Sequence, residues 1–230
     1  MQLEQIKLIA VDTDGVLFND TYSPVIERFV TKHGGAYTAE VERAVWGSPQ
    51  IAAGQNMALT CRLPWSGKTT IEAFFEERDR YLLEHPVQIA SGVEAFLQTL
   101  ASTGARIISY GGRDRSYSFD KFLSPFADYF DPHIPYIDVN DFRPGMAEIV
   151  EDICGVEFQQ ALFIDDINRV GEVCKALGAG FIGIPSSAPH NFQRRQMTET
   201  GVRHMVSELA AIDAIMLSSI DKELAAGSHW

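Results

Sequence analysis

Cysteine is scarce in this chain. Cys61, Cys154 and Cys174 are the only three, isolated from one another and set in mostly apolar stretches. An odd, dispersed set offers neither a disulfide framework nor the paired spacing of a zinc site, so buried thiols are expected. The six histidines are scattered without a His-x-x-x-His pair, which disfavours a histidine-based metal site. No apolar run reaches the length of a membrane span. The segment Met1-Gln2-Leu3-Glu4-Gln5 lacks the basic start and apolar stretch of a signal peptide, which makes cytoplasm the expected location. Basic residues are also short: 19 Lys and Arg face 31 Asp and Glu, a net charge of -12. Such a surface is unsuited to non-specific nucleic-acid binding, which exchanges basic side chains for counterions. A small anionic substrate stays compatible, because a metal and a few local cations can reverse the field inside one cleft. The hydrophobic share of 46% over 230 residues suits one large globular domain, or a domain carrying an insertion.

What the chain does have is an apolar run, Leu8-Ile9-Ala10-Val11, that ends in Asp12-Thr13-Asp14-Gly15. Side chains alternate along an extended strand, so Asp12 and Asp14 leave it on one side and Thr13 on the other. Two like charges that close raise each other's pKa unless a cation sits between them. A hard divalent ion such as Mg²⁺ fits, since it prefers carboxylate oxygen and keeps waters that a phosphate can displace. The same residues also suit an acidic strand-to-turn junction.

Further short β-rich runs are expected at Ala105–Tyr110, Ile134–Val139, Ala161–Ile164, Gly180–Ile184 and Val202–Val206, the first strand covering Lys7–Val11. Amphipathic stretches lie between them: Ser91–Thr103, opened by a Ser91/Glu94 capping box; Pro144–Cys154, closed by Gly155; and Val170–Leu177, closed by Gly178. Strands alternating with helices predict an α/β fold, a Rossmann-like doubly wound parallel sheet. One interval breaks the alternation. Ser23-Pro24 read as the N-cap and first residue of a helix, and helical segments follow near Thr38–Trp46, after Ser48-Pro49, and over Thr69–Glu84. This predicts an α-helical domain inserted at residues 21–85, with the core domain at 1–20 and 86–230. The end of the chain, 221–230, is weakly patterned and reads as a loose tail.

Three elements follow the Asp pair. Ile107-Ile108-Ser109-Tyr110-Gly111-Gly112 is a strand ending in a hydroxyl and a flexible turn, whose backbone N–H groups suit phosphate oxygens. Arg143-Pro144 places a cation just before a helix. Leu162-Phe163-Ile164-Asp165-Asp166 is a second apolar strand ending in paired carboxylates. In this order, and with the helical insertion after the first strand, the chain resembles the haloacid dehalogenase superfamily of phosphotransferases over nearly its whole length, in particular its phosphoglycolate-phosphatase-like and β-phosphoglucomutase-like branch with an inserted helical cap.

The resemblance implies a Mg²⁺-dependent phosphatase acting on a small phosphorylated metabolite, with no nucleic acid or membrane as partner. Asp12 would be the nucleophile that forms an aspartyl phosphate, and Asp14 the general acid and then base. Asp12, the main-chain carbonyl of Asp14, Asp166 and also Asp165 would hold Mg²⁺. Ser109 and Arg143 would bind the transferring phosphoryl group, helped by Tyr110 and Gly111 in the turn. An acid at Asp14 favours an alcohol over a halide as leaving group, so dehalogenation is disfavoured. Arg62 and Lys68, flanking the loop Leu63-Pro64-Trp65-Ser66-Gly67, are candidates for recognising the rest of the substrate, and Asn19-Asp20 for a hinge. The chain departs from the family pattern in Arg143 where lysine is usual, in Tyr110 after Ser109, and in Val170 where a further acid or amide is common; Asn168 nearby is a substitute. A phosphomutase of the same chemistry, or a non-catalytic relative keeping the fold, are the alternatives.

Overall fold

The structure, a computed structural model, describes residues 2–230. Five strands form one parallel sheet: β1 (Leu8–Asp12), β2 (Arg106–Gly111), β3 (Tyr136–Asp138), β4 (Ala161–Asp165) and β5 (Gly180–Gly183), in the order β3-β2-β1-β4-β5. The chain builds outward from β1 to β3, then crosses back to place β4 and β5 on the other side. That reversal beside β1 is the topological switch point, where the carboxyl ends of parallel strands leave a crevice.

Each strand buries both faces, which is why the strand sequences are apolar without alternation. Ala10, Ile108, Tyr110, Phe163 and Phe181 face one layer, packed with Ile149, Val150, Val170 and Cys174. Ile9, Val11, Ile107, Leu162 and Ile164 face the other, packed with Phe96, Leu97, Phe119, Leu217 and Ile220. All three cysteines are buried and free. No helix among the described residues is long and apolar enough to cross a membrane.

Between β1 and β2 the chain forms α1 (Ser23–Lys32), α2 (Ala39–Val45), α3 (Gln50–Thr60), α4 (Gly67–Leu82) and α5 (Val93–Ala101). The first four pack on one another above the carboxyl ends of the strands, and their core is continuous with one layer of the sheet. The two connections into and out of this helical segment run side by side. Asn19 N–H donates to Gln88 O (3.0 Å), Ala90 N–H to Leu17 O (2.9 Å), and the Asn19 side chain bonds both Gln88 N–H (2.7 Å) and Pro86 O (3.2 Å). After β4 come α6 (Asn168–Leu177), α7 (Gln193–Thr200) and α8 (Ala214–Ala225).

Several expectations are corrected. Val202–Val206 is not a strand: β5 ends at Gly183, so only Met205 pairs, in a single bridge to Gly183. Ser23 is the first helical residue of α1, not its cap. Asp20 does the capping, accepting from Tyr22 N–H (3.1 Å), Ser23 N–H (2.9 Å) and the Ser23 hydroxyl. The Ser91/Glu94 capping box does not form, because Gly92 takes the cap position of α5 without a side-chain bond. Helix is absent from Arg143 and Pro144, which lie in a turn; a wide, π-wound helix runs Glu148–Cys154. The tail is docked. Trp230 stacks on Phe181 (6.3 Å between ring centres) and donates from Nε1 to Ala179 O (2.9 Å), while His229 is buried.

Candidate active site

The carboxyl ends of β1 and β4, the turn after β2 and the underside of α1–α4 enclose a cavity of about 110 Å³. β1 stops at Asp12, and Thr13 N–H and Oγ1 both turn to Tyr110 O (3.1 and 3.3 Å), so Asp14 swings back into the same cavity as Asp12. Gly15, at φ 91°, lets the turn pass under Asp166. A Cβ there would meet Asp166 Oδ2 at 2.3 Å, so no other residue fits. Gly112 plays the same part for Arg143, whose Nη1 would lie 2.4 Å from an added Cβ.

Four carboxylates line the cavity, from Asp12, Asp14, Asp20 and Asp166, against one cation, Arg143. Burial, and then the Asp165 charge, push the Asp12 carboxyl upward, with Arg143 opposing. Asp166 is driven up by burial, then by Asp165 and Asp12. Burial raises Asp14 to about 6, opposed by Arg78, Arg143 and Arg113. Asp14 Oδ1 is buried with no hydrogen-bond partner. An excess of buried carboxylate with an unmet oxygen is the donor chemistry of a hard divalent cation. The residues therefore fit Mg²⁺, with the Asp12 and Asp166 carboxylates and the chain at Asp14 as the available oxygens.

Asp165 is placed differently from Asp166. It is fully buried behind the cavity, with Oδ2 accepting from the Tyr110 hydroxyl and Oδ1 from Ile167 N–H (2.7 Å). Each oxygen is engaged and Asp165 does not line the cavity, so it supplies charge and holds Tyr110.

Ser109 also departs from expectation. The parallel register pairs Ser109 with Val11 and Tyr110 with Asp12. Paired residues share a face, so Ser109 lies on the face opposite Asp12, and its hydroxyl donates to Pro135 O (2.8 Å). It does not line the cavity. Tyr110 stands beside Asp12 instead, with its hydroxyl committed to Asp165, and Gly111 sits above Thr13. Of the turn, Gly112 reaches the cavity wall.

Arg62, Lys68 and Trp65 are not brought to the cavity. Arg62 and Lys68 are exposed, the latter 4.0 Å from Glu72, and Trp65 packs edge-on against His33 (5.4 Å) inside the helical segment. Asn168 turns its amide to Glu172 (2.9 Å) and Val170 is core. The residues that do roof the cavity include Tyr22, Trp46, Met57, Ile71, Phe74 and Phe75.

Sequence reasoning missed Arg78. It is fully buried on α4, with its guanidinium 4.0 Å above the Tyr22 ring and hydrogen bonds to Tyr117 Oη (2.8 Å) and Thr21 Oγ1 (2.7 Å). It bolts α4 to the core beside Asp14. Its signal was a charged residue at a core position of an amphipathic helix, which must find partners when buried. Arg113 makes a parallel bridge, lying 4.5 Å from the Phe75 ring and 4.2 Å from Tyr117.

A family model described as haloacid dehalogenase-like hydrolase matches residues 6–178. Among solved structures, a phosphonoacetaldehyde hydrolase-like protein from Oleispira antarctica is similar at a TM-score of 0.72 and 13% identity, covering 100% of this chain and 98% of that one. A β-phosphoglucomutase from Clostridium difficile is similar at 0.68 and 13%, covering 96% and 99%. A predicted phosphoglycolate phosphatase from Haemophilus somnus is similar at 0.59 and 15%, covering 91% and 97%. At these identities the likeness is one of fold. No curated protein is significantly similar in sequence.

Proposed function

This chain belongs to the haloacid dehalogenase-like hydrolases, and from that premise we propose that it is a Mg²⁺-dependent phosphatase hydrolysing a small phosphorylated molecule through an aspartyl phosphate. The observation that carries the reading is the convergence of Asp12, Asp14, Asp166 and Arg143 on one cavity at the switch point of the sheet. Residues 21–85 act as a cap over a core of 1–20 and 86–230.

Asp12 attacks phosphorus with a carboxylate oxygen while the bond to the leaving alcohol breaks, and Asp14 delivers the proton that alcohol needs. Water then attacks the acyl phosphate, Asp14 takes its proton, and inorganic phosphate leaves with Asp12 restored. A carboxyl raised to about 6 suits a group that must both give and take a proton near neutrality. Arg143 meets the charge of the phosphoryl group. Asp12, the Asp14 carbonyl and Asp166 would hold Mg²⁺, which would supply the positive charge that lets an anionic nucleophile approach an anionic ester. Ser109 has no part in this scheme.

The test is phosphate release from a panel of alkyl phosphates with Mg²⁺ and with chelator. Metal-dependent turnover is expected, abolished in Asp12→Asn and reduced at least about 100-fold in Asp14→Asn. Inactivity of the wild-type protein across the panel favours the non-catalytic relative, for which the diversion of Ser109 to Pro135 is the motivating feature.

A further inference from the structure

We propose that the organic group of the substrate is compact and apolar: the cavity takes the phosphate monoester of a small aliphatic or cycloaliphatic alcohol, not of a polyol. The inference rests on the phosphatase reading of the same site and concerns the wall opposite the carboxylates.

That wall is made by Ile26, Val45, Trp46, Met57, Ile71 and Phe74 from α1–α4 and their connections. Arg143 is the only cation among the lining residues, and it belongs to the phosphoryl end. The polar groups nearby are largely spent. Ser48 Oγ donates to Ala44 O (3.1 Å), the Gln50 amide nitrogen to Gly112 O (2.7 Å), and Asp20 caps α1. What remains at that end is the Tyr22 hydroxyl and the Trp46 indole N–H, both buried without a partner. A sugar or glycerol phosphate brings hydroxyls that each lose a donor and acceptors to water on entry, and a wall of this kind returns hydrogen bonds from two groups only. An apolar group needs none. Size points the same way: an apolar cavity of ~150 Å³ holds benzene, so about 110 Å³, shared with the phosphoryl group, favours a compact organic group over a long chain.

The comparison must hold the leaving group's basicity fixed, so all esters are those of simple alcohols. With Mg²⁺ present, kcat/KM for isobutyl and cyclopentyl phosphate is expected to exceed that for glycerol 3-phosphate and ribose 5-phosphate by at least about 100-fold. In parallel, calorimetry compares binding of the uncleavable cyclopentylphosphonate and 3,4-dihydroxybutylphosphonate. Turnover with parity, or with preference for the polyols, overturns the inference and leaves the phosphatase reading standing. Tighter binding of cyclopentylphosphonate with no turnover of any ester overturns the phosphatase reading and sustains this one. Equal binding of the two phosphonates overturns it. Met57→Gln and Val45→Thr, each close in shape to the original, put a polar group into the wall and should narrow the preference about tenfold; no change in either variant counts against it.

Discussion

At the scale of single residues the site is electrostatically uneconomical. Asp12, Asp14, Asp165 and Asp166 are gathered in a buried volume, and their carboxyls are raised, chiefly by burial. A carboxyl whose pKa is higher in the fold than in the unfolded chain stabilises the fold fully below its unfolded value and loses that contribution as pH rises through its folded value. For Asp14 the window runs from 3.8 to about 6. Above it the metal-free protein carries the cost of the buried charge in full, and a divalent cation relieves it. Two outcomes follow for melting curves. The increment in Tm given by Mg²⁺ should grow between pH 5 and pH 7.5. Asp166→Asn should raise the metal-free Tm at pH 7.5 by roughly 3–6 °C, the size expected when ~1–2 kcal/mol of repulsion is removed, and should abolish the Mg²⁺ increment. A metal-free Asp166→Asn protein that melts below wild type would show that the carboxylate is instead a net support.

At the scale of elements, the helical segment is seated on the core by polar side chains. Glu42 of α2 is fully buried, accepts from Phe192 N–H (3.0 Å) and Gln193 Nε2 (2.7 Å) at the start of α7, and takes the Tyr37 hydroxyl (2.8 Å). Arg43, one residue on, pairs with Glu172 of α6 (2.8 Å). Carboxylate at a helix N-terminus is favourable, and a buried donor left without its acceptor is costly. Glu42→Ala should therefore lower unfolding free energy by about 2–4 kcal/mol, with Glu42→Gln falling between, as read from urea midpoints. A loss under about 0.5 kcal/mol in Glu42→Ala, the range of an ordinary surface substitution, would sink this account.

Contacts of this kind were not legible in the sequence, because nothing local marks Glu42 as a partner of residues near 192. The five strands were legible, since each is an apolar run bounded by turn residues. So were the helices of the insertion, whose apolar spacing is local. Val202–Val206 has the same apolar look as the strands, but pairing depends on what β5 leaves free. The site divides along the same line. Asp12, Asp14 and Asp166 pointed to a common location through their charge at strand ends, and Arg143 joined them only through the order of motifs in the family resemblance. The displacement of Ser109 did not, because the face it occupies follows from its register with β1, and register is a property of two strands. Arg62 and Lys68 were singled out for charge and for a loop position, while the cavity roof turned out to be made from the apolar faces of the same helices.

At the scale of the molecule, the two ends of the chain close onto the sheet. Asp221 of α8 accepts from the N–H groups of Glu4, Gln5 and Ile6 (3.0, 2.9 and 2.8 Å). His204, Glu223 and His229 meet near the C-terminus, a grouping with the look of a metal site. The hydrogen bonds say otherwise. His229 Nε2 accepts from Phe181 N–H (2.9 Å), so in the neutral ring the proton sits on Nδ1, the atom facing Glu223, and that nitrogen has no lone pair to offer. Burial lowers His229 to about 4, aided by the His204 charge. A histidine depressed in this way supports the fold above its unfolded pKa of about 6.5 and withdraws that support as pH falls toward 4. Between pH 7 and pH 4.5 the wild type should lose more Tm than His229→Asn does, and deleting residues 228–230 should flatten the same slope. Equal slopes in all three proteins would remove His229 from the account.

The central position of β1 carries a consequence in time. Leu8 pairs with Arg106 on one side and Ala161 on the other, so the strand that leaves the ribosome first gains its second neighbour about 150 residues later, an interval of roughly 8–30 s at ordinary elongation rates. Until β2 is made both edges of this apolar strand are open, and until β4 is made one of them stays so, the condition under which nascent chains pair with one another. Slowing elongation after residue 20 should therefore lower the yield of native protein from translation more than the same delay placed after residue 165, when β4 has already been made.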